Sequence, residues 1–241
     1  SAVRKNVVIA QRLYYSKNGR AFVQNGNLAV SEKEIFVLIG PEGSGKTSLF
    51  QLLSGCLKPE KGMLVLFGNP MPFFKEYRRV GMVQAEKGFY ENMSGRANIK
   101  MKALAFGNYK RELLWEAVRI TGLEDIVRKK VKSYTQEQKI RLGIAMAIVG
   151  SPKLLLLDET LDHVRQKERE NLVKLVKILN RKYGLTILIS SSHPQTAQII
   201  GTSYGIMKKG TLLMQSAQGQ AVSGKRDGKK KKAEKRREKY D

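Results

Sequence analysis

The sequence holds a single cysteine, Cys56, in 241 residues, which excludes an internal disulfide framework. A lone thiol of this kind reads as a small buried apolar residue in a reducing compartment. No apolar run approaches the roughly 18 residues that cross a bilayer, and the polar, basic start is not expected to be a signal peptide. Aromatic residues make up only 7%, and no stacking positions stand within a basic face, so nothing marks an RNA-binding module. Acids are scarce as well: 21 Asp and Glu against 45 Lys and Arg leave a net charge of +24. Such an excess favours anionic partners (nucleoside phosphates, lipid headgroups or nucleic acid) and by itself does not choose among them.

What is present suffices for a core, since 41% of the residues are apolar. Residues 223–241 carry ten Lys and Arg against four Asp and Glu and almost nothing apolar. This stretch is expected to be a disordered basic tail, with an anionic membrane surface as its first candidate partner and nucleic acid as its second.

Upstream, Asn18-Gly19 and Asn25-Gly26 separate short apolar segments, a pattern for hairpins in a small antiparallel sheet. Residues 34–39 (EIFVLI) are a continuous apolar strand of the kind buried on both faces of a parallel sheet. Helical spacing follows over 47–54, stopped by Gly55. Short strands are predicted at 63–67 and 79–83, then helices near 95–106, 110–121 and 136–149. A buried strand at 153–157 precedes an amphipathic helix over 164–183 capped by Gly184, a strand at 186–190 and a closing hairpin around Lys209-Gly210. Strands alternating with helices predict an α/β fold with a mainly parallel sheet, an antiparallel entry and a helical insertion over about 90–150.

Between the first buried strand and its helix lies Gly40-Pro41-Glu42-Gly43-Ser44-Gly45-Lys46-Thr47, followed by Ser48, which fits G-x-x-x-x-G-K-[ST]. The glycines let several backbone N–H groups turn inward at phosphates, and the helix start adds a positive dipole end. Lys46 supplies a charge for the terminal phosphates, and the Thr47 hydroxyl suits Mg²⁺. Much later, Leu154–Leu157 runs into Asp158-Glu159. Alone, that run is a buried strand with a helix cap. Paired with the phosphate loop it reads as a second nucleotide motif, with Asp158 holding Mg²⁺ through water and Glu159 as general base.

These stretches, with YTQEQKIRLGIAMAIVGSPKLLLLDE and YGLTILISSSHPQTAQII, resemble the ATPase domain of ABC transporters over roughly residues 12–215. Within that superfamily the sequence looks most like the eukaryotic A subfamily of lipid exporters. The resemblance implies a P-loop NTPase core with an antiparallel β subdomain and a helical subdomain, spanning residues 1–222. It implies ATP and Mg²⁺ as ligands, transmembrane domains as partners, and a place on the cytoplasmic face of a membrane. Two such domains of the family sandwich two ATP molecules, each between one P-loop and the partner's signature loop.

Several family positions are altered. Where the signature reads [LY]-S-G-G-Q, this chain has Tyr134-Thr135-Gln136-Glu137-Gln138, so both glycines are replaced and a carboxylate is expected to face phosphate. The family histidine aligns with Ser192, leaving catalytic candidate His193 one residue late unless a bulge restores it. The glutamine that reaches Mg²⁺ aligns with Ala85, between Gln84, the metal candidate, and Glu86. For the adenine-stacking aromatic, Lys17 holds the position and Tyr14 and Tyr15 are substitutes or plain strand residues. The expectation is intact nucleotide binding, slow hydrolysis and a non-identical second ATPase domain. The alternatives are an ATP-binding switch without hydrolysis and a soluble ABC-type ATPase acting on nucleic acid.

Overall fold

The computed structural model describes residues 5–70, 74–84, 87–107 and 109–217. The basic tail 223–241, Ala85 and Glu86 lie outside them.

Strand β1 (Asn6–Lys17) turns at Asn18-Gly19 into β2 (Arg20–Ser31), as the sequence predicts. Asn25-Gly26 is not a second hairpin. It forms a bulge inside β2, where Asn25 has φ 50° and the pairing slips between Tyr15↔Val23 and Leu13↔Gly26. Asn tolerates the left-handed conformation, and a bulge uses it as readily as a turn does. Strand β3 (Ile35–Ile39) leads through the phosphate loop into α1 (Lys46–Leu53), and β4 (Lys61–Leu66) returns to pair with β1 in a three-stranded antiparallel sheet.

After α2 (Phe74–Tyr77) come β5 (Val80–Gln84), α3 (Gly95–Ala105) and α4 (Arg111–Thr121). The chain continues through a 3-10 turn at Val131–Ser133, α5 (Gln136–Ile148), β6 (Leu154–Asp158), α6 (Gln166–Arg181) and β7 (Thr186–Ser191). It closes with α7 (Gln195–Ile200), β8 (Ser203–Lys208) and β9 (Thr211–Ala217). The main sheet has the order β5-β6-β7-β3-β8-β9, parallel throughout except for β9.

Every residue of β3, β6 and β7 is buried, which explains their unbroken apolar runs. Alternation sorts them between two cores. Ile35, Val37, Leu155, Leu157, Ile187 and Ile189 pack with α5, α6 and α7, whereas Phe36, Leu38, Leu154, Leu156 and Leu188 pack with α1 and the antiparallel sheet. A third cluster (Ile99, Leu114, Val118, Leu123, Val127, Leu142) binds α3, α4 and α5 together. Cys56 departs from expectation: it follows the end of α1 in a turn and is exposed.

Candidate functional site

The parallel strands all end on one edge of the sheet, and the candidate residues converge there. Gly40 follows β3, Gln84 and Asp158 are the last residues of β5 and β6, and the two sit side by side in register. Asp158 also faces Ser190 of β7, and Ile39 faces Ser191. This is the crevice at the carboxyl ends of the strands where open α/β sheets bind ligands.

The phosphate loop is strapped from two sides. Gly210, in the β8–β9 turn, donates its N–H to the Ser44 carbonyl at 2.8 Å and accepts from the Gln24 N–H at 2.7 Å. Two glycines show different needs. A Cβ on Gly40 would collide with the Met207 carbonyl and lie 2.6 Å from Ser44 Oγ, so the constraint is close approach. Gly45 has φ 105°, and a Cβ there would overlap the Phe22 carbonyl oxygen, so conformation and space both exclude a side chain.

Helix α1 begins at Lys46 with Gly45 as its N-cap, no side-chain cap and no acid in its first turn. Its first amides therefore have neither intrahelical nor side-chain acceptors, which is the condition for anion binding at a helix start. Ser44 Oγ is buried without a hydrogen-bond partner among the described residues and adds an orphaned donor to the same cradle. Thr47 and Ser48 are half-buried on the first turn, and Pro41, Glu42 and Gly43 are exposed at the loop's tip.

Lys46 is only 3% exposed. Its Nζ donates to the carbonyls of Gly40 (2.7 Å) and Pro41 (3.0 Å) and lies 3.0 Å from Glu159 Oε1. The candidate phosphate cation and the candidate general base are thus an ion pair here. Glu159 adopts φ 53°, and its N–H donates to Ser190 Oγ at 2.9 Å. Asp158, 6% exposed, accepts from the same hydroxyl at 2.6 Å.

Among the described residues no hydrogen bond or ion pair joins His193 to Lys46, Asp158 or Glu159, although it follows β7 at the same edge. Its half-exposed ring has Nδ1 3.4 Å from Asp162 Oδ1, and the Asp162 carboxylate also accepts from Ser191 Oγ and the Ser192 N–H, each at 2.6 Å. The imidazole is therefore engaged by Asp162, while Ser192 lines a cavity with Gly40 and Pro41. Tyr15 packs against Phe22 with ring centroids 6.5 Å apart, and Lys61 lies over the Tyr14 ring. Phe22 was not singled out from the sequence. Its signal, an aromatic just past a hairpin turn, is common to many strands.

The altered signature loop differs from expectation in one respect. Glu137 is turned along α5 to Arg141, whose Nη2 lies 2.8 Å away, while Arg141 Nη1 donates to the Thr121 carbonyl at 2.9 Å. The reason is helical spacing: i and i+4 share a face, so the carboxylate pairs with the guanidinium and does not project forward. Thr135 caps α5 in a capping box with Gln138, its Oγ1 accepting from the Gln138 N–H and its own N–H donating to Gln138 Oε1. Tyr134 anchors the loop by donating to the Ile126 carbonyl at 2.8 Å, and burial raises its phenol above the ordinary value.

Comparison with known proteins places this geometry. Residues 23–162 match the family model described as ABC transporter. The bacitracin transport ATP-binding protein BcrA of Bacillus licheniformis is 33% identical, across 79% of this chain and 63% of its own length. The lantibiotic transport ATP-binding protein SrtF of Streptococcus pyogenes is 28% identical, across 85% of this chain and 88% of its own. The spermidine/putrescine import ATP-binding protein PotA of Mannheimia succiniciproducens, also 28% identical, is covered over 57% of its length. These relatives are bacterial, whereas the sequence motifs pointed to the eukaryotic A subfamily. Among solved structures, cbiO1 from Clostridium perfringens, part of the transporter complex cbiONQ, has a TM-score of 0.78 at 24% identity, over 88% of both chains. A dimeric ATP-binding cassette bound to ADP and Pi scores 0.76 at 20% identity, over 87% of this chain and 98% of its own. At such identities the likeness carries the fold: a P-loop NTPase of the ABC ATPase type.

Proposed function

The chain belongs to the ABC transporter family, and from that premise we propose that it is an ATP-binding domain whose nucleotide-driven pairing with a second such domain moves attached transmembrane domains. The observation that carries the reading is the cradle. An uncapped helix start, an orphaned buried hydroxyl and a buried lysine converge where a strand ends in Asp158-Glu159. ATP and Mg²⁺ fit this donor set, since it offers N–H and cationic groups to phosphate and oxygen ligands to a hard cation.

The first-turn amides of α1, Ser44 and Lys46 would bind the phosphates, and Thr47, Asp158 and Gln84 would hold Mg²⁺. When bound, Mg·ATP supplies the anhydride to be cleaved and the cation that neutralises its charge. To reach a phosphate Lys46 gives up one of its three contacts, and giving up Glu159 would also free the carboxylate. Glu159 then takes a proton from the attacking water at Oε. His193 has its Nδ1 near Asp162, and each positioning group that fails to reach the reacting phosphate costs about 10²–10⁴ in rate. Slow hydrolysis by the isolated chain follows.

The partner domain is proposed to be non-identical. The α5 N-terminus, which in the family approaches the partner's nucleotide, is self-capped here by Thr135 and Gln138, and Gln136 and Glu137 stand where glycines would admit phosphate. Among the described residues no helix is long and apolar enough to cross a membrane. The transmembrane domains and the place at the cytoplasmic face of a membrane are proposed from membership of the family. Cargo is not written in this domain: relatives named for bacitracin, lantibiotic and polyamine transport share it. A bacitracin- or lantibiotic-type cargo has support from those names that the lipid cargo implied by the motifs lacks.

Thermal unfolding tests the reading. Mg·ATP at 100-fold over its dissociation constant should add about 2.7 kcal/mol of stability. Lys46→Ala should abolish the shift. An identical absence of shift in wild type and variant at millimolar ATP would overturn it.

A further inference from the structure

Strand β7 ends in two buried hydroxyls, and the first has no counterpart in the nucleotide motifs. Ser190 is 0% exposed and follows Ile187, Leu188 and Ile189, all of them fully buried. A hydroxyl in that setting destabilises unless its hydrogen bonds are made. Ser190 makes two, and both go to the acidic pair of the neighbouring strand. Its Oγ–H donates to Asp158 Oδ1 at 2.6 Å, and the same oxygen accepts the Glu159 N–H at 2.9 Å. The parallel register sets Asp158 directly beside Ser190, so the contact is built into the sheet.

We propose that Ser190 is a positioning residue for the nucleotide site, fixing the Asp158 carboxylate for Mg²⁺ and the Glu159 backbone for water activation; this rests on the ATP-binding reading above. Two consequences follow from the geometry. With Oδ1 engaged by the hydroxyl, the Asp158 carboxylate is held in one orientation and keeps lone pairs for a cation or its water. With its N–H held, Glu159 keeps φ 53°, a conformation disfavoured for a non-glycine residue, and from it the side chain reaches the Lys46 ammonium. One hydroxyl therefore couples the metal-binding acid, the general base and, through the ion pair, the phosphate lysine. Ser191 next to it is committed elsewhere, to Asp162 and Thr196, and does not substitute.

The full chain carrying Ser190→Ala tests this, with thermal stabilisation by ATP measured first in EDTA and then across a Mg²⁺ titration. Metal-free ATP affinity should stay within about twofold of wild type, because the loop amides and the Lys46 contacts to the Gly40 and Pro41 carbonyls do not pass through Ser190. The Mg²⁺ concentration giving half of the metal-dependent stabilisation should rise about tenfold, the usual effect of losing a hydrogen bond to a charged group. Turnover, where measurable, should fall by a similar factor or more at saturating Mg²⁺. Ser190→Thr should restore both. Ser190→Cys, close in size and a poor donor, should show the same Mg²⁺ defect if the alanine variant does not fold. Unchanged Mg²⁺ dependence in a wild type that binds ATP would overturn the Ser190 proposal alone, as would an equal loss of metal-free affinity. A wild type that binds no ATP would overturn the site reading itself.

Discussion

At the scale of single residues, the most consequential arrangement is Lys46 buried against Glu159. A buried ammonium needs neutralising partners, and this one has two carbonyls and a carboxylate. Nucleotide and Glu159 therefore compete for one charge. Glu159→Gln should lower turnover by about 10²-fold or more, the scale of a general base, while ATP affinity holds or tightens a few-fold because the competing charge is gone. Equilibrium binding with parallel phosphate-release assays checks both, and weakened binding would argue against competition. Thr160 offers a separate test. Its buried Oγ1 has no hydrogen-bond partner among the described residues, so Thr160→Val should be neutral or stabilising by about 1 kcal/mol in urea unfolding. Lys46, Asp158 and Glu159 were legible in the sequence because motif spacing fixes them. The Lys46–Glu159 pair and the Asp162–His193 contact were not, since both depend on side chains brought together across different loops.

Among the elements, the two long helices that flank the site start with different chemistry from α1. Helix α1 is left uncapped and open to an anion, whereas α5 closes a capping box and in α6 the Glu168 carboxylate accepts from both the N–H and the guanidinium of Arg165. In α5, Thr135→Ala should cost about 1 kcal/mol and fray the first turn, with hydrogen exchange rising at the Gln138 amide. In α6, the Arg165 side chain hydrogen-bonds Glu168 and holds its carboxyl below the ordinary 4.5. A carboxyl with a lowered folded value contributes stability at and above the usual range and loses it as pH falls through the lowered value. Arg165→Ala should therefore be the less stable chain at neutral pH, with the gap closing as the solution is acidified below about pH 4. Thermal melts from pH 3 to 7 check this, and a gap that persists at pH 3 would contradict it. The long elements were readable beforehand: β3, β6 and β7 are doubly buried and so continuously apolar, and α6 is strongly two-faced. Helices α2 and α7 were not, having four and six residues, too few for a period to show. The bulge at Asn25-Gly26 was misread because a turn and a bulge ask the same conformation of the same two residues.

For the whole molecule, charge is the property that pattern reading could state but not place. The chain carries a net +24 and the cation of its site is buried, so two electrostatic effects act on nucleotide binding at different ranges. The Lys46 contact is short and shielded from solvent, and salt screens it little. The field of the remaining excess is long-ranged, extends through water and steers an anion towards the loop. Raising ionic strength from 0.1 to 1 M shortens the screening length from about 10 to about 3 Å, which removes the second effect and largely spares the first. Stopped-flow binding of Mg·ATP should therefore show an association rate that falls several-fold over this range while the dissociation rate changes little. Deleting residues 223–241 removes a net +6 of that excess and should lower the association rate at 0.1 M only partly, with the two chains converging at 1 M. A salt effect confined to dissociation would mean that the excess charge does no steering and serves the anionic surface or partner that the domain docks against.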